Sequence, residues 1–135
     1  MFDRNYKMNI MKKKESVLRE KSYKFAIRIV RLSQYLQKEK KEFELSRQIL
    51  KSGTSVGALI REAEYAQSDA DFINKFSISL KEANETAFWL SLLKDTDYIE
   101  EKLFSSLFAD CNEIISMLVS TIKTMKSKKI LTLSS

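Results

Sequence analysis

Residues 45–63, LSRQILKSGTSVGALIREA, carry both glycines of the chain, Gly53 and Gly57. Around them apolar side chains recur every three or four residues, which is the period of an amphipathic helix. Glycine inside a helix costs about 1 kcal/mol relative to alanine, so two on one face indicate a closely approaching neighbour. A phosphate-binding loop is disfavoured, because no strand precedes the stretch and no Gly-Lys-Ser/Thr follows it. We therefore predict a helix from about Glu42 to Ala66 with close helix packing at Gly53 and Gly57.

The composition of the 135 residues excludes several classes of protein. With Pro 0 and Gly 2 the chain lacks the usual residues of tight turns, which argues against an all-β fold. With His 0 it cannot build a catalytic triad or an imidazole metal site. The lone Cys111 allows no internal disulfide, and the start of the chain lacks a secretion leader. We expect one cytoplasmic domain with no enzyme activity, cofactor, metal or membrane span.

The segment before the glycine helix, from Ser22 to about Glu39, is apolar on two nearly opposite faces when drawn as a helix. The inner face is Phe25, Ile29, Leu32 and Leu36, and the second face is Tyr23, Ala26, Ile27 and Val30. Between them runs a basic strip made of Lys21, Lys24, Arg28 and Arg31. Because a helix in a monomeric bundle needs only one apolar stripe, the second face predicts an oligomer interface.

Two more helices follow the glycine helix. Ser68 to Asp71 is a helix start, since Ser or Asp side chains accept bonds from the free amides of a first turn. The third helix should run from there to about Lys94. We expect Asp97 to cap the fourth helix, which reads from about Tyr98 to Lys126 with Leu107, Cys111, Ile114 and Leu118 in its core stripe.

Four helices of similar length with short links predict an all-α, up-down-up-down antiparallel four-helix bundle. The first turn should fall within residues 38–42. We assign residues 18–127 to the bundle, 1–17 to a basic N-terminal tail and 128–135 to a C-terminal tail that frays from Ile130.

Positive charge is concentrated at the two ends of the chain. Residues 1–31 hold ten basic and three acidic side chains, a net charge of +7. The whole protein has a net charge of +6, so the remaining residues sum to −1. A second basic cluster is Lys123, Lys126, Lys128 and Lys129, which leaves the middle acidic. This distribution suits a polyanion contacted by the termini and the first helix, although clustered lysines also occur on ordinary solvated surfaces.

Three central segments resemble a known family when they are taken together. They are residues 48–57 (QILKSGTSVG), residues 66–75 with Ala-Gln-Ser, Asp-Phe-Ile and Lys75, and residues 80–90 (LKEANETAFWL). The chain resembles, over about residues 20–127, the four-helix-bundle proteins related to those encoded in 23S ribosomal RNA intervening sequences. It departs from many relatives after Ala58, where Leu59 stands in place of an Asn, so no role of that Asn is carried over.

The resemblance implies a bundle that closes into a cyclic homo-oligomer, typically a pentamer, with no catalytic activity assigned. The chain also looks like the accessory protein of diversity-generating retroelements, a relative that forms a basic barrel and engages nucleic acid and a reverse transcriptase.

We therefore expect a non-enzymatic ring that binds RNA or DNA through phosphate contacts. The candidate nucleic-acid-binding residues are Lys12, Lys13, Lys14, Lys21, Lys24, Arg28, Arg31, Lys126, Lys128 and Lys129. The alternative is a scaffold that docks another protein through the apolar second face or the acidic middle of the chain, without touching nucleic acid. A di-iron enzyme is disfavoured, because Glu82 and Glu85 take the places of a Glu-x-x-His pair and no imidazole is present.

Overall fold

The computed structural model describes the backbone of residues 4–134 and the side chains of residues 9–127. This part of the chain forms four α-helices and no strand: α1 (Arg4–Lys40), α2 (Glu44–Ala63), α3 (Asp69–Asp95) and α4 (Glu101–Ser134). The all-α expectation is confirmed. In the described residues α1 contacts α2 and α4, and α3 also contacts α2 and α4, whereas α1 and α3 share no close contact. The four helices thus surround one core, and we call this arrangement the bundle.

The core is built from the predicted apolar stripes. The inner face of α1 is almost fully covered, with Phe25, Ile29, Leu32 and Leu36 all buried. The other helices add Ile49, Val56, Ile60, Phe76, Ala83, Leu90, Leu107, Cys111, Ile114 and Leu118 to the same cluster. Burial of one such side chain stabilises the fold by about 1.5–3 kcal/mol, so the stripes hold the helices together.

Both ends of the chain are more helical than predicted. The expected tail over residues 1–17 is helical from Arg4 onward, and α4 continues to Ser134 although fraying from Ile130 was expected. Neither segment contains the Pro or Gly that normally ends a helix. Leu18, the first residue that was assigned to the bundle, is fully buried in the core.

The three links lie close to the predicted positions, but one cap differs. Ser68 caps α3 as expected, its Oγ accepting from the backbone N–H of Asp71 at 3.0 Å. Asp97 was predicted to cap α4 and instead ends α3 with a left-handed φ of 66°. Its N–H donates to the Lys94 carbonyl at 3.1 Å, and that of Tyr98 donates to the Leu93 carbonyl at 2.9 Å. This pair of bonds is the Schellman helix ending, and α4 begins later, at Glu101.

One stretch of α4, Glu101–Ser127, is long and apolar enough to cross a membrane by length and composition alone. The expectation that the chain has no membrane span stays a prediction. The stripe Leu107, Cys111, Ile114 and Leu118 contributes part of its hydropathy and faces the core. Its opposite face carries exposed polar side chains such as Asn112, Glu113 and Lys123.

The two glycines of α2 lie where α1 comes closest. A Cβ atom built on Gly53 would stand 2.8 Å from both Cγ atoms of Ile29, and one on Gly57 would stand 3.3 Å from the backbone oxygen of Ser22. Ile29 is fully buried and β-branched, so it cannot turn aside without leaving the core. The cost of glycine in a helix is thus offset by direct contact between α1 and α2.

We predict that Gly53→Ala lowers the free energy of unfolding by about 1–3 kcal/mol, because overpacking against Ile29 outweighs the gain in helix propensity. Urea unfolding followed by circular dichroism measures the change. In an Ile29→Ala background the same substitution should be neutral or stabilising, since both clashing atoms are gone. An equal loss in the two backgrounds would contradict the contact as its cause.

Lys41 ends α1 with a φ of 53°, a conformation that costs a side chain with a Cβ but not glycine. We predict that Lys41→Gly raises the free energy of unfolding by about 1 kcal/mol. The control is Lys38→Gly, three residues earlier and inside α1, which should lower it by about the same amount. A decrease for both variants in urea unfolding would refute the assignment of strain to position 41.

Candidate nucleic-acid interface

Three of the four cations in the basic strip of α1 are already paired with carboxylates. Lys21 Nζ lies 2.8 Å from Glu113 of α4, and Lys24 Nζ lies 2.9 Å from Glu20 on α1 itself. The hydrogen bond to Glu113 raises the pKa of Lys21, and the bond from Lys24 lowers the pKa of Glu20. The strip therefore has less free positive charge than its sequence suggests.

Arg28 makes the most extensive contact of the strip. Its Nη1 donates to Asp110 Oδ2 at 2.7 Å and its Nη2 donates to Ser106 Oγ at 2.9 Å, so the guanidinium spans one turn of α4. Within the described side chains Arg31 is exposed and has no ion pair. Among the described side chains, Arg31 is therefore the strip residue that is exposed and has no carboxylate partner.

The lysines near the two chain ends are exposed instead. Lys12, Lys13 and Lys14 on α1 and Lys126 on α4 are exposed, as is Lys123 one turn earlier. Among the described side chains no carboxylate is recorded within ion-pair distance of these five. The side chains of Lys128 and Lys129 lie outside the described residues.

These lysines come to the same end of the bundle. A surface pocket of about 310 Å³ is lined by Met11 and Lys12 of α1, by Met125 of α4 and by the α2–α3 link at Gln67 and Ser68. Lys126 adjoins Met125 in sequence, and Lys123 lies two positions before it. We call Lys12, Lys13, Lys14, Lys123 and Lys126 the basic end. The same pocket is also lined by the acidic side chains Glu15, Glu64 and Asp69, and Glu64 is paired with Arg19 at 2.5 Å.

The second apolar face of α1 is open in the single chain. Tyr23 is 64% exposed, Ile27 40% and Val30 37%, while Ala26 is half-buried. The residues between them, Phe25 and Ile29, are buried in the core. The structure thus separates the two faces as the sequence pattern predicted, and whether another molecule covers the outer one stays a prediction.

A second exposed apolar surface lies on α3 and was not predicted from the sequence. Phe88 is 58% exposed and Ile78 is 37% exposed, and Phe88 stacks edge-on against Trp89 with ring centroids 5.0 Å apart. Leu92, four residues after Phe88, is half-buried. The spacing of Phe88 and Leu92, on the side of α3 away from Ala83 and Leu90, was the signal that could have revealed this surface.

Two other chemically distinctive features do not form a reactive site. Cys111 is buried, its Sγ donates to the Ala83 carbonyl at 3.2 Å, and burial raises the pKa of its thiol to about 12. Burial and then the neighbouring charge of Glu85 raise the pKa of Glu82. In the part of the chain with described side chains, no group of three potential metal ligands comes together.

Comparison with known proteins identifies a family and a solved structure that the chain resembles. The family described as 23S rRNA-intervening sequence protein matches residues 14–120. The crystal structure of a protein of unknown function from the S23 ribosomal protein family of Bacteroides thetaiotaomicron is 56% identical in sequence. It superimposes with a TM-score of 0.81 over 82% of this chain and 98% of the other. No curated protein matches the chain.

Proposed function

The chain belongs to the 23S rRNA-intervening sequence protein family, and from that premise we propose that it is a non-enzymatic, self-associating bundle that binds nucleic acid. The observation that carries the proposal is the basic end, where five exposed lysines have no carboxylate within ion-pair distance among the described side chains. Lysines free of internal partners are those best able to neutralise phosphates, and each neutralised phosphate releases condensed counterions. Contacts of this kind position a protein on RNA or DNA without reading its sequence.

The proposed topology is the up-down-up-down antiparallel bundle, and the helix contacts support it. Ile29 of α1 contacts Gly53 of α2, and the earlier Ser22 contacts the later Gly57, so the two helices run in opposite directions. Between α2 and α3 the Ser79 hydroxyl reaches Val56 and the Thr86 hydroxyl reaches Ser52. Between α1 and α4, Arg28 meets Asp110 and Lys21 meets Glu113, again in opposite order. In this topology the two chain ends lie at one end of the bundle, which brings the two groups of lysines together.

The proposed assembly is a cyclic homo-oligomer, a pentamer by resemblance to the family. Its support in this chain is the exposed second face of Tyr23, Ile27 and Val30 beside a complete core. A cyclic interface joins unlike patches of neighbouring copies. The inner face of a helix can therefore pack in the core of its own chain while its outer face packs on the next copy. Several basic ends held on one particle would add avidity to individually weak contacts.

A protein-binding scaffold without nucleic-acid contact is the second candidate. The exposed Phe88, which stacks edge-on against the half-buried Trp89, favours it, since exposed aromatic side chains are enriched at protein interfaces. The two candidate functions depend on different side chains. Nucleic-acid binding would be weakened by substitution of the lysines, whereas docking of another protein would be weakened by substitution of the exposed apolar residues.

We predict that a Lys12→Gln, Lys13→Gln, Lys14→Gln triple variant weakens binding to mixed RNA and to duplex DNA. Fluorescence anisotropy across a salt series measures both affinity and its salt dependence. The slope of log affinity against log salt should become shallower by about 0.9 for each lost phosphate contact on a duplex, or about 0.7 on a single strand.

The matched control is Lys21→Gln, Lys24→Gln, Arg28→Gln, which removes the same formal charge from the paired strip. This control should change the slope less, because its cations already bind Glu113, Glu20 and Asp110. Equal or larger losses in the strip variant would move the interface to the strip. No binding by the unmodified protein at about 50 mM salt, or binding indifferent to salt, would reject the nucleic-acid proposal.

The assembly is tested separately by sedimentation velocity at micromolar concentration. We expect a single closed species at a whole-number multiple of 15.7 kDa. A folded species at 15.7 kDa across the concentration range would reject the assembly and leave the basic end to act as a single copy.

A further inference from the structure

Two helices at opposite corners of the bundle each carry an apolar face directed away from the core. On α1 this face is Tyr23, Ala26, Ile27 and Val30, which we call the α1 outer face. On α3 it is Ile78, Phe88 and Leu92, which we call the α3 outer face. Within the described residues α1 and α3 contact α2 and α4 but not each other, so the two faces lie on different sides of one chain. Unlike patches placed in this way are what a head-to-tail interface requires.

The helix contacts show that the two faces lie at matching heights along the bundle. One layer joins Ile29 to Gly53, beside Ser52, whose hydroxyl bonds to Thr86 at 2.9 Å. A lower layer joins Ser22 to Gly57, beside Val56, whose carbonyl accepts from Ser79 at 2.9 Å.

These layers define which residues of neighbouring copies would meet. Tyr23 follows Ser22 and Ile78 precedes Ser79, so both lie in the lower layer. Val30 and Glu85 flank the upper layer, next to Ile29 and Thr86. If two copies stand side by side at equal height, Tyr23 of one faces Ile78 of the other and Val30 faces the region of Glu85.

The charges beside the two faces are complementary. Arg31 adjoins Val30 and has no ion pair among the described side chains. Glu85 lies one turn before Phe88, is exposed, and is close enough to Glu82 for their carboxyls to share a hydrogen bond. Burial first and then the charge of Glu85 raise the pKa of Glu82, whereas Lys81 and Lys51 of the same chain lower it. A guanidinium arriving from another copy would add positive charge beside this carboxylate pair.

We propose that the α1 outer face of one copy packs on the α3 outer face of the next, with Arg31 placed against Glu85. The occupant of each face is thus a second copy of this chain, and the interface is heterologous. This inference rests on the proposed self-association and specifies which surfaces form it. The inference also assigns a partner to the α3 outer face, which the sequence analysis had not considered.

The test mixes two variants that each lose one face. Ile27→Glu removes the α1 outer face and keeps the α3 face, whereas Phe88→Glu does the reverse. Each variant alone should sediment as a folded monomer, with association weakened by more than about 30-fold, as expected when a central interface residue is lost. Mixed in equal amounts they should form a one-to-one dimer, because one intact pair of faces remains. Ser116→Glu on the exposed surface of α4 is the matched control and should assemble like the unmodified protein.

Each outcome decides the inference. Two folded monomers that do not associate on mixing would overturn the pairing of these faces. Continued assembly of Phe88→Glu beside a monomeric Ile27→Glu would remove α3 from the interface while leaving self-association intact. A monomeric unmodified protein would reject self-association itself, which keeps the two failures distinct.

A second experiment exchanges the charges of Arg31 and Glu85, and it tests the interface even if Ile27→Glu or Phe88→Glu fails to fold. Arg31→Glu and Glu85→Arg should each weaken assembly, and the double variant should recover it, since the exchanged charges face each other again between copies. No recovery in the double variant would overturn the proposed contact between Arg31 and Glu85.

Discussion

The contact between α1 and α2 at the two glycines sets the rotation of α1, and the surface of the protein depends on that rotation. With Ile29 seated over Gly53 and the Ser22 backbone beside Gly57, α1 has one allowed orientation on the core. Lys21 and Arg28 are then directed at α4, where they pair with Glu113 and Asp110. The same rotation turns the α1 outer face to solvent. A larger residue at either glycine would alter the packing of α1 and everything that α1 presents.

Small hydroxyl side chains continue this close packing from α2 to α3. Ser52, Ser79 and Thr86 are buried, and every one of their hydroxyls has a hydrogen-bond partner, two of them across the helix interface. A buried hydroxyl without a partner would cost about 1–3 kcal/mol, so these bonds define one relative height for the two helices. Sliding α3 by a turn would break both. α4 is held differently, by large apolar side chains and by ion pairs at its border with α1.

Periodicity predicted the elements of this fold and the links between them, because each helix buries a local, repeating stripe. It did not predict the charge state of the basic strip, since Arg28 and its partner Asp110 are 82 positions apart. Nor did it predict the end of α3 at Asp97, where a non-glycine residue adopts a left-handed conformation. The exposure of Phe88 was not predicted either. Which side of a mostly apolar helix faces outward is decided by its neighbours, and those are known only after the helices are assembled.

The proposed interface and the proposed nucleic-acid surface support each other through geometry. When copies repeat around an axis parallel to their helices, the faces that meet must lie at equal height, and the layers through Ile29 and Ser22 satisfy this condition. The same symmetry places every basic end on one face of the ring, whereas a two-fold axis perpendicular to the helices would send successive basic ends in opposite directions. A ring therefore concentrates lysines that are individually weak phosphate ligands, and its affinity for a polyanion would grow with the number of ends engaged. Most cations of the basic strip are paired within each chain. This is consistent with α1 contacting the next copy while the basic end contacts nucleic acid. Charge that is neutralised along α1 does not oppose the approach of another copy, and charge left free at the end remains available to phosphates.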